Sequence, residues 1–155
     1  MAENDQAAAV NPEASEQRFS LQRIYVKDLS FESPNSPDIF QQKYGQKADF
    51  KLNTRHKFID STFYEVVLKV SVEAKHEDNT LFLAEVEQAG IFDIHGIEGA
   101  TLDHLLGSMC PSILFPYARE TIDTLLLKGT FPPLMLDPVN FDAIYSQSIP
   151  QNTVQ

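Results

Sequence analysis

Between residues 63 and 75 the chain alternates strictly. Tyr64, Val66, Leu68, Val70, Val72 and Ala74 take the even positions; Glu65, Lys69, Ser71, Glu73 and Lys75 take odd ones, and Val67 alone breaks the rule. A period of two places the two sets on opposite faces of a strand, one buried and one wet. Residues 47–58 repeat the pattern, with Ala48, Phe50, Leu52 and Phe58 on one side and Lys47, Asp49, Lys51, Asn53, Arg55 and Lys57 on the other. Glu77, Asp78 and Asn79 make a polar turn, which predicts a hairpin with a fourth strand from about Thr80 to Phe92. The first strand spans about Arg18 to Phe31. The connection SPNSPDIFQQKYGQ holds Pro34 and Pro37, which cannot donate ladder hydrogen bonds, so it reads as a long loop. Its Ile39, Phe40 and Tyr44 either cover the edge of a core or wall a binding groove.

After Gly99 the period becomes helical. Leu102, Leu105, Leu106 and Met109 recur at three- and four-residue steps, and Leu114, Ala118, Ile122, Leu125 and Leu126 form the next stripe. Pro111 predicts a helix restart at its first position, Pro116 a kink or local loosening, and Gly129 a stop. TFPPLMLDP is extended by its prolines, and Asn140 caps a short last helix from Phe141 to about Gln147. Four strands followed by two helices predict an α+β fold: a four-stranded antiparallel sheet with both helices packed on one face. Residues 18–147 form one domain in this reading. The acidic, aromatic-free segment 1–17 is expected to be disordered and 148–155 to be a flexible tail. The apolar stripe, the PPLML segment, Phe141, Ile144 and Tyr145 exceed what one small sheet buries, so a closed symmetric oligomer is expected.

Charge narrows the class of partner. Twelve Lys and Arg stand against 22 Asp and Glu, a formal net charge of -10. That balance argues against nucleic acid and against an anionic membrane surface, both of which are bound through basic side chains. The deficit is concentrated: residues 76–118 hold seven acids and no Lys or Arg. Such a run is either a solvated face or a docking surface for a basic partner. No apolar run reaches the ~18 residues of a membrane span, and the opening segment lacks the basic and apolar regions of a secretory signal. The single cysteine, Cys110, excludes an intrachain disulfide and reads as a buried structural thiol, consistent with a reducing cytoplasm.

Candidate chemistry is sparse. His95 lies near Asp93 and His104 beside Asp103, but neither pair has a third residue at metal-ligand spacing, and no metal or other cofactor is expected. Gly96 and Gly99 read as a turn and helix start. An alternative to a binding protein is a small α+β enzyme acting on a hydrophobic acyl substrate, with Asp93, His95 or His104 as acid or base.

The assembled blocks RIYVKDLSFESPNSP (23–37), YEVVLKVSV (64–72), GIFDIHGIEG (90–99), CPSILFPYARETI (110–122) and GTFPPLMLDPVNFDAIY (129–145) closely resemble the SecB family of bacterial export chaperones. The resemblance covers roughly Phe19 to Tyr145. It implies an ATP-independent cytoplasmic holdase that keeps preproteins non-native and passes them to the motor SecA. It implies a homotetramer, a dimer of dimers, with helices between two sheets. It assigns SecA docking to Asp28, Glu32, Leu83 and Glu85 on the outer sheet face, against a basic, zinc-carrying segment of SecA. It places a client groove at Ile39, Phe40, Phe50, Leu52, Phe131, Leu134, Phe141 and Ile144, and tetramer assembly near Ala84, Val86 and Gln88. Asp28 and Glu32 share parity on their strand, but so do Ile24 and Val26, which demands either a bulge or a covered face. The uncharged tail after Tyr145 differs from the longer charged tails of many members.

Overall fold

The computed structural model describes residues 16–148. The segments expected to be disordered lie outside these residues, apart from Glu16, Gln17 and Ser148. Strands β1 (Arg18–Glu32), β2 (Lys47–Asp60), β3 (Phe63–His76) and β4 (Asn79–His95) pair antiparallel in the order β1-β4-β3-β2. Hairpins join β2 to β3 and β3 to β4, as the alternation and the polar turn predict. From Val66 to Ala74 every even residue of β3 is buried. These residues pair with the even residues of β4, so Phe82, Ala84, Val86, Gln88, Gly90 and Phe92 share their face.

β1 holds the answer to its parity conflict. Its register against β4 shifts between Leu21 and Arg23 and again between Val26 and Asp28. Each shift inserts one extra residue, Gln22 or Lys27, and a bulge exchanges the faces of everything beyond it. Ile24 and Val26 therefore face inward opposite Gly90 and Gln88, whereas Asp28, Ser30 and Glu32 face outward opposite Glu87, Glu85 and Leu83.

The helical region is one rod. α1 (Gly99–His104) passes through a π turn (Leu105–Met109) into α2 (Cys110–Lys128), with right-handed backbone angles at His104, Met109 and Cys110. The expected restart at Pro111 is replaced by this widening. Pro111 cannot bond to the Gly107 carbonyl four residues back, and its ring crowds that carbonyl, so the turn before it expands. Pro116 lies inside α2 without ending it. Leu114, Ala118, Ile122 and Leu126 are all fully buried on the inner face of the sheet. Cys110 is buried with them, and burial pushes its thiol pKa up to about 12.

α2 does stop at Gly129, but not through a left-handed glycine. Gly129 has φ -85°, and the left-handed residue is Thr130, at φ 64°. Glycine is required there for space, because a Cβ would collide with the ring of Phe31. Phe31, Phe82 and Phe131 form one aromatic cluster at this end. The chain then returns beside α2. The Asp123 carboxylate accepts from the backbone N–H of Leu134 at 2.9 Å and of Met135 at 3.3 Å. Asn140 accepts from Ala143 N–H at 3.1 Å and caps α3 (Phe141–Ser148) as expected. α3 rests on the π turn, with Phe141 against Phe115 and the Asp142 carboxylate accepting from Ser108 and, at 2.9 Å, from His104.

Candidate binding faces of the sheet

The registers assemble the outer face row by row. Asp49, Glu73, Leu83 and Glu32 lie side by side across the four strands. The next row is Lys51, Ser71, Glu85 and Ser30, and the one after it Asn53, Lys69, Glu87 and Asp28. Three of the four residues assigned to docking, Glu32, Leu83 and Glu85, line one shallow depression of about 480 Å³. Asp28 stands just beyond, opposite Glu87. Leu83 is 37% exposed, an apolar spot ringed by carboxylates.

This face is less uniformly negative than the charge run suggests. Glu85 accepts from Ser71 at 2.8 Å and lies 3.3 Å from the Lys69 ammonium. Arg55 holds Glu87 by two hydrogen bonds, at 2.9 and 3.2 Å, and thereby keeps its carboxyl below the usual range. No ion pair among the described residues engages Asp28, Glu32 or Asp49. Asp49 and Glu73 were not singled out from the sequence, yet they complete the acidic row. Their outward parity was visible; their register against Leu83 was not.

Toward the other end lies a buried polar knot. Glu65, 8% exposed, accepts from the Tyr25 hydroxyl and from Lys27 at 2.7 Å. Burial pushes the Glu65 carboxyl up, but the Lys27 and Tyr25 hydrogen bonds outweigh it and leave the group below its usual value. Burial first, then Glu65 itself, pushes Tyr25 up to about 12.

The inner face is apolar. Ala84, Val86 and Gln88 sit there as their parity predicts, each 3% exposed or less. The Gln88 side chain donates to the Tyr25 carbonyl at 3.2 Å and accepts from Thr121 of α2 at 3.5 Å. Beside α2 the inward residues of β1 are poorly covered, with Leu21, Val26 and Leu29 37–45% exposed. On the β2 side a trough of about 290 Å³ runs between Phe50 and the segment Leu134–Asp137.

The residues assigned to a client groove divide. Phe40, Phe50 and Ile144 are 45–47% exposed, and Leu52 and Leu134 are partly buried. Ile39, Phe131 and Phe141 are core residues in this chain, 1–6% exposed. The Phe40 and Phe131 rings pack in a tilted pair with centroids 5.8 Å apart, so the loop and the segment after α2 meet. Phe141 and Ile144 lie apart, on α3. Phe58 and Ile59, 56% and 43% exposed, extend the apolar surface of β2 beyond what the sequence marked as groove.

The histidines are held separately. His95 Nδ1 meets the Glu16 carbonyl at 2.7 Å, and Asp93 is engaged by Thr62 and Arg18. Asp142 stands between Ser108 and His104, so the serine proton is directed at the carboxylate rather than the imidazole. Among the described residues no group of three or more His, Cys, Asp and Glu is placed to hold a metal ion. No helix of the described residues is long and apolar enough to cross a membrane.

The family model described as "Preprotein translocase subunit SecB" matches residues 12–152. The chain belongs to the SecB family. Among SecB relatives, the protein-export protein SecB of Pseudomonas paraeruginosa (strain DSM 24068 / PA7) is 58% identical over 144 residues, 91% of this chain and 88% of the relative. The protein-export protein SecB of Ectopseudomonas mendocina (strain ymp) is 52% identical over 149 residues, 96% of this chain and 92% of the relative. In three dimensions the fold is similar to the SecB-like chaperone Rv1957 of Mycobacterium tuberculosis, solved in complex with a ChAD peptide from the Rv1956 HigA1 antitoxin. That likeness has a TM-score of 0.65 at 19% identity, over 79% of this chain and 91% of that one.

Proposed function

We propose that this SecB protein is an ATP-independent chaperone of the cytoplasm that holds preproteins non-native and delivers them to SecA. The observation carrying the proposal is the division of labour between the two faces of one sheet. The outer face offers carboxylates around Leu83, a match for a basic partner segment. The inner face offers apolar surface beyond what α2 covers. An unfolded chain has no fixed order of side chains, so its holder needs open apolar area rather than a closed pocket. Binding that state preferentially keeps it populated by mass action, without nucleotide chemistry.

Asp28, Glu32, Leu83 and Glu85 form the SecA dock in this reading, with Asp49 and Glu73 extending it. Phe40, Phe50, Leu52, Leu134 and Ile144 give clients apolar contact, with Ile39, Phe131 and Phe141 as the packing behind them. The exposed inward residues of β1 support assembly of copies into a homotetramer, a dimer of dimers, and Ala84, Val86 and Gln88 set the seat of α2 on which that assembly depends. The test is capture. The protein should slow refolding of a reduced, unfolded polypeptide in the absence of ATP. Unchanged refolding at a several-fold molar excess would overturn the proposal.

A further inference from the structure

Past Glu87 and Asp28 the outer face changes sign. Arg55, Val67, Ala89 and Tyr25 make one row across the strands, and Lys57, Glu65, Ile91 and Arg23 make the next. Lys27, the extra residue of the bulge, stands beside them. Lys27, Arg55 and Lys57 line one recess of about 120 Å³ over Glu65 and Val67. Glu65 is the only carboxylate in these two rows. In the row beyond, Asp60 ends β2 and Asp93 is already held by Arg18 and Thr62. Lys27 is engaged by Glu65 and Arg55 by Glu87, but no ion pair among the described residues engages Arg23 or Lys57. We infer that this cationic end of the outer face is the docking site of the chain's own acidic segment, residues 1–15.

Charge and connection together choose this occupant. Residues 1–15 hold Glu3, Asp5 and Glu13 and no Lys or Arg. They join the domain at the same end of the sheet. The Glu16 carbonyl is 2.7 Å from His95 Nδ1, and a Cβ on Gly96 would meet it at 2.6 Å, so the entry to β1 is pinned against the end of β4. From Glu16 to Arg23 is about 20 Å along the strand. The stretch back from Glu16 to Glu3 reaches roughly 40 Å when extended, enough to double back over the patch. Asn11-Pro12, a turn-favouring pair, lies within it. A tether this short keeps the carboxylates at a roughly millimolar effective concentration, so weak contacts suffice to fill the site. The cover closes the cationic end to acidic surfaces, including the acidic rows of another copy. It does not rest on the chaperone reading, since none of its residues belongs to the dock or to the apolar surface.

The test is zero-length carbodiimide coupling of the full chain, which joins a carboxylate to an amine in contact with it. At low salt the products should join Glu3, Asp5 or Glu13 to Lys27 or Lys57, and their yield should fall as salt rises. In oligomers assembled from isotopically heavy and light chains, these products should stay within one chain. Arg23→Glu leaves both lysines in place as reporters and should lower the yield about fivefold. A free peptide of residues 1–15 should couple to the patch about fivefold less on the unaltered chain than on E3Q/D5N/E13Q, whose own segment no longer competes. Absence of these products at low salt, a yield indifferent to both salt and Arg23→Glu, or heavy–light products would each overturn the inference, the last by assigning the patch to a second copy. Equal peptide coupling on the two chains would also overturn it, leaving the patch to acidic segments of other proteins. Should Arg23→Glu not fold, the salt series and the heavy–light comparison on the unaltered chain decide.

Discussion

Arg55 on β2 reaches along the outer face to Glu87 on β4 and grips both carboxylate oxygens, at 2.9 and 3.2 Å. Val67 of β3 sits directly across from Arg55 and is 1% exposed. The one apolar residue that interrupts the alternation of β3 is thus roofed by the stems of a salt bridge. Arg55→Ala should lower stability by about 0.5–1 kcal/mol, small because the guanidinium is half exposed and screened. Urea titration at low and high salt checks it, and the deficit should shrink at high salt.

Glu85→Lys places a cation beside Lys69, which now lies 3.3 Å from the carboxylate. SecA affinity at low salt should fall about tenfold or more. Oligomer size and client capture should not change, because the residue is on the opposite face from the apolar surface. Calorimetric titration with SecA, paired with light scattering, separates these outcomes. Equal SecA affinity would remove Glu85 from the dock.

The Glu32, Asp49 and Glu73 carboxylates lie in one row with Leu83. Asp49→Asn with Glu73→Gln should therefore weaken the same SecA contact, though less than Glu85→Lys, because two charges are neutralised and none is reversed. The slope of log affinity against log salt should also flatten. An unchanged slope would confine the dock to the four residues assigned by family resemblance.

Stability should respond to pH at both extremes. Glu65, Glu87, Asp93 and Asp142 have folded pKa values lowered from their usual values. Lowered carboxylates contribute stability above their unfolded values and lose it as pH falls through the folded ones. The urea midpoint should hold from neutrality to about pH 5 and decline below about pH 4. Tyr25 is raised, from 10.0 to about 12, so its contribution is complete below 10 and lost as pH climbs toward 12. Comparing wild type with Tyr25→Phe isolates that alkaline loss, which the variant should lack.

Gly129→Ala should destabilise by about 1–3 kcal/mol, the range for forcing a methyl group into packed surroundings. Phe31 cannot retreat freely, since its ring packs against Phe82 and Phe131. A midpoint within error of wild type would show that the ring finds another rotamer.

The sheet and its faces were legible because alternation is a local signal. So were the Asn140 cap and the burial of α2. What escaped depended on relations between strands. The sequence shows that Glu85 and Glu87 point outward, but not that Lys69 and Arg55 stand beside them. It shows a parity conflict in β1, but not that Lys27 is the extra residue. Groove and core were confused at Ile39, Phe131 and Phe141 because both are made from the same large apolar side chains. Only packing against the 131–137 segment and α3 tells them apart. The π turn was invisible for a similar reason: a proline marks a lost hydrogen bond, not how the helix absorbs it.

The extra residue at Lys27 makes β1 two strands written in different phases. Between Arg23 and Val26 the inward apolar side chains fall on even numbers, beyond Lys27 on odd, and that one residue holds the two stretches in step with the same core. A deletion at that point would act like a frameshift in space. Either Phe31 would turn to water while Glu32 entered the space beside Gly129, or Ile24 and Val26 would be expelled while Tyr25 was driven inward. The acidic dock and the apolar packing are therefore not independent inheritances, since a single insertion sets the phase of both.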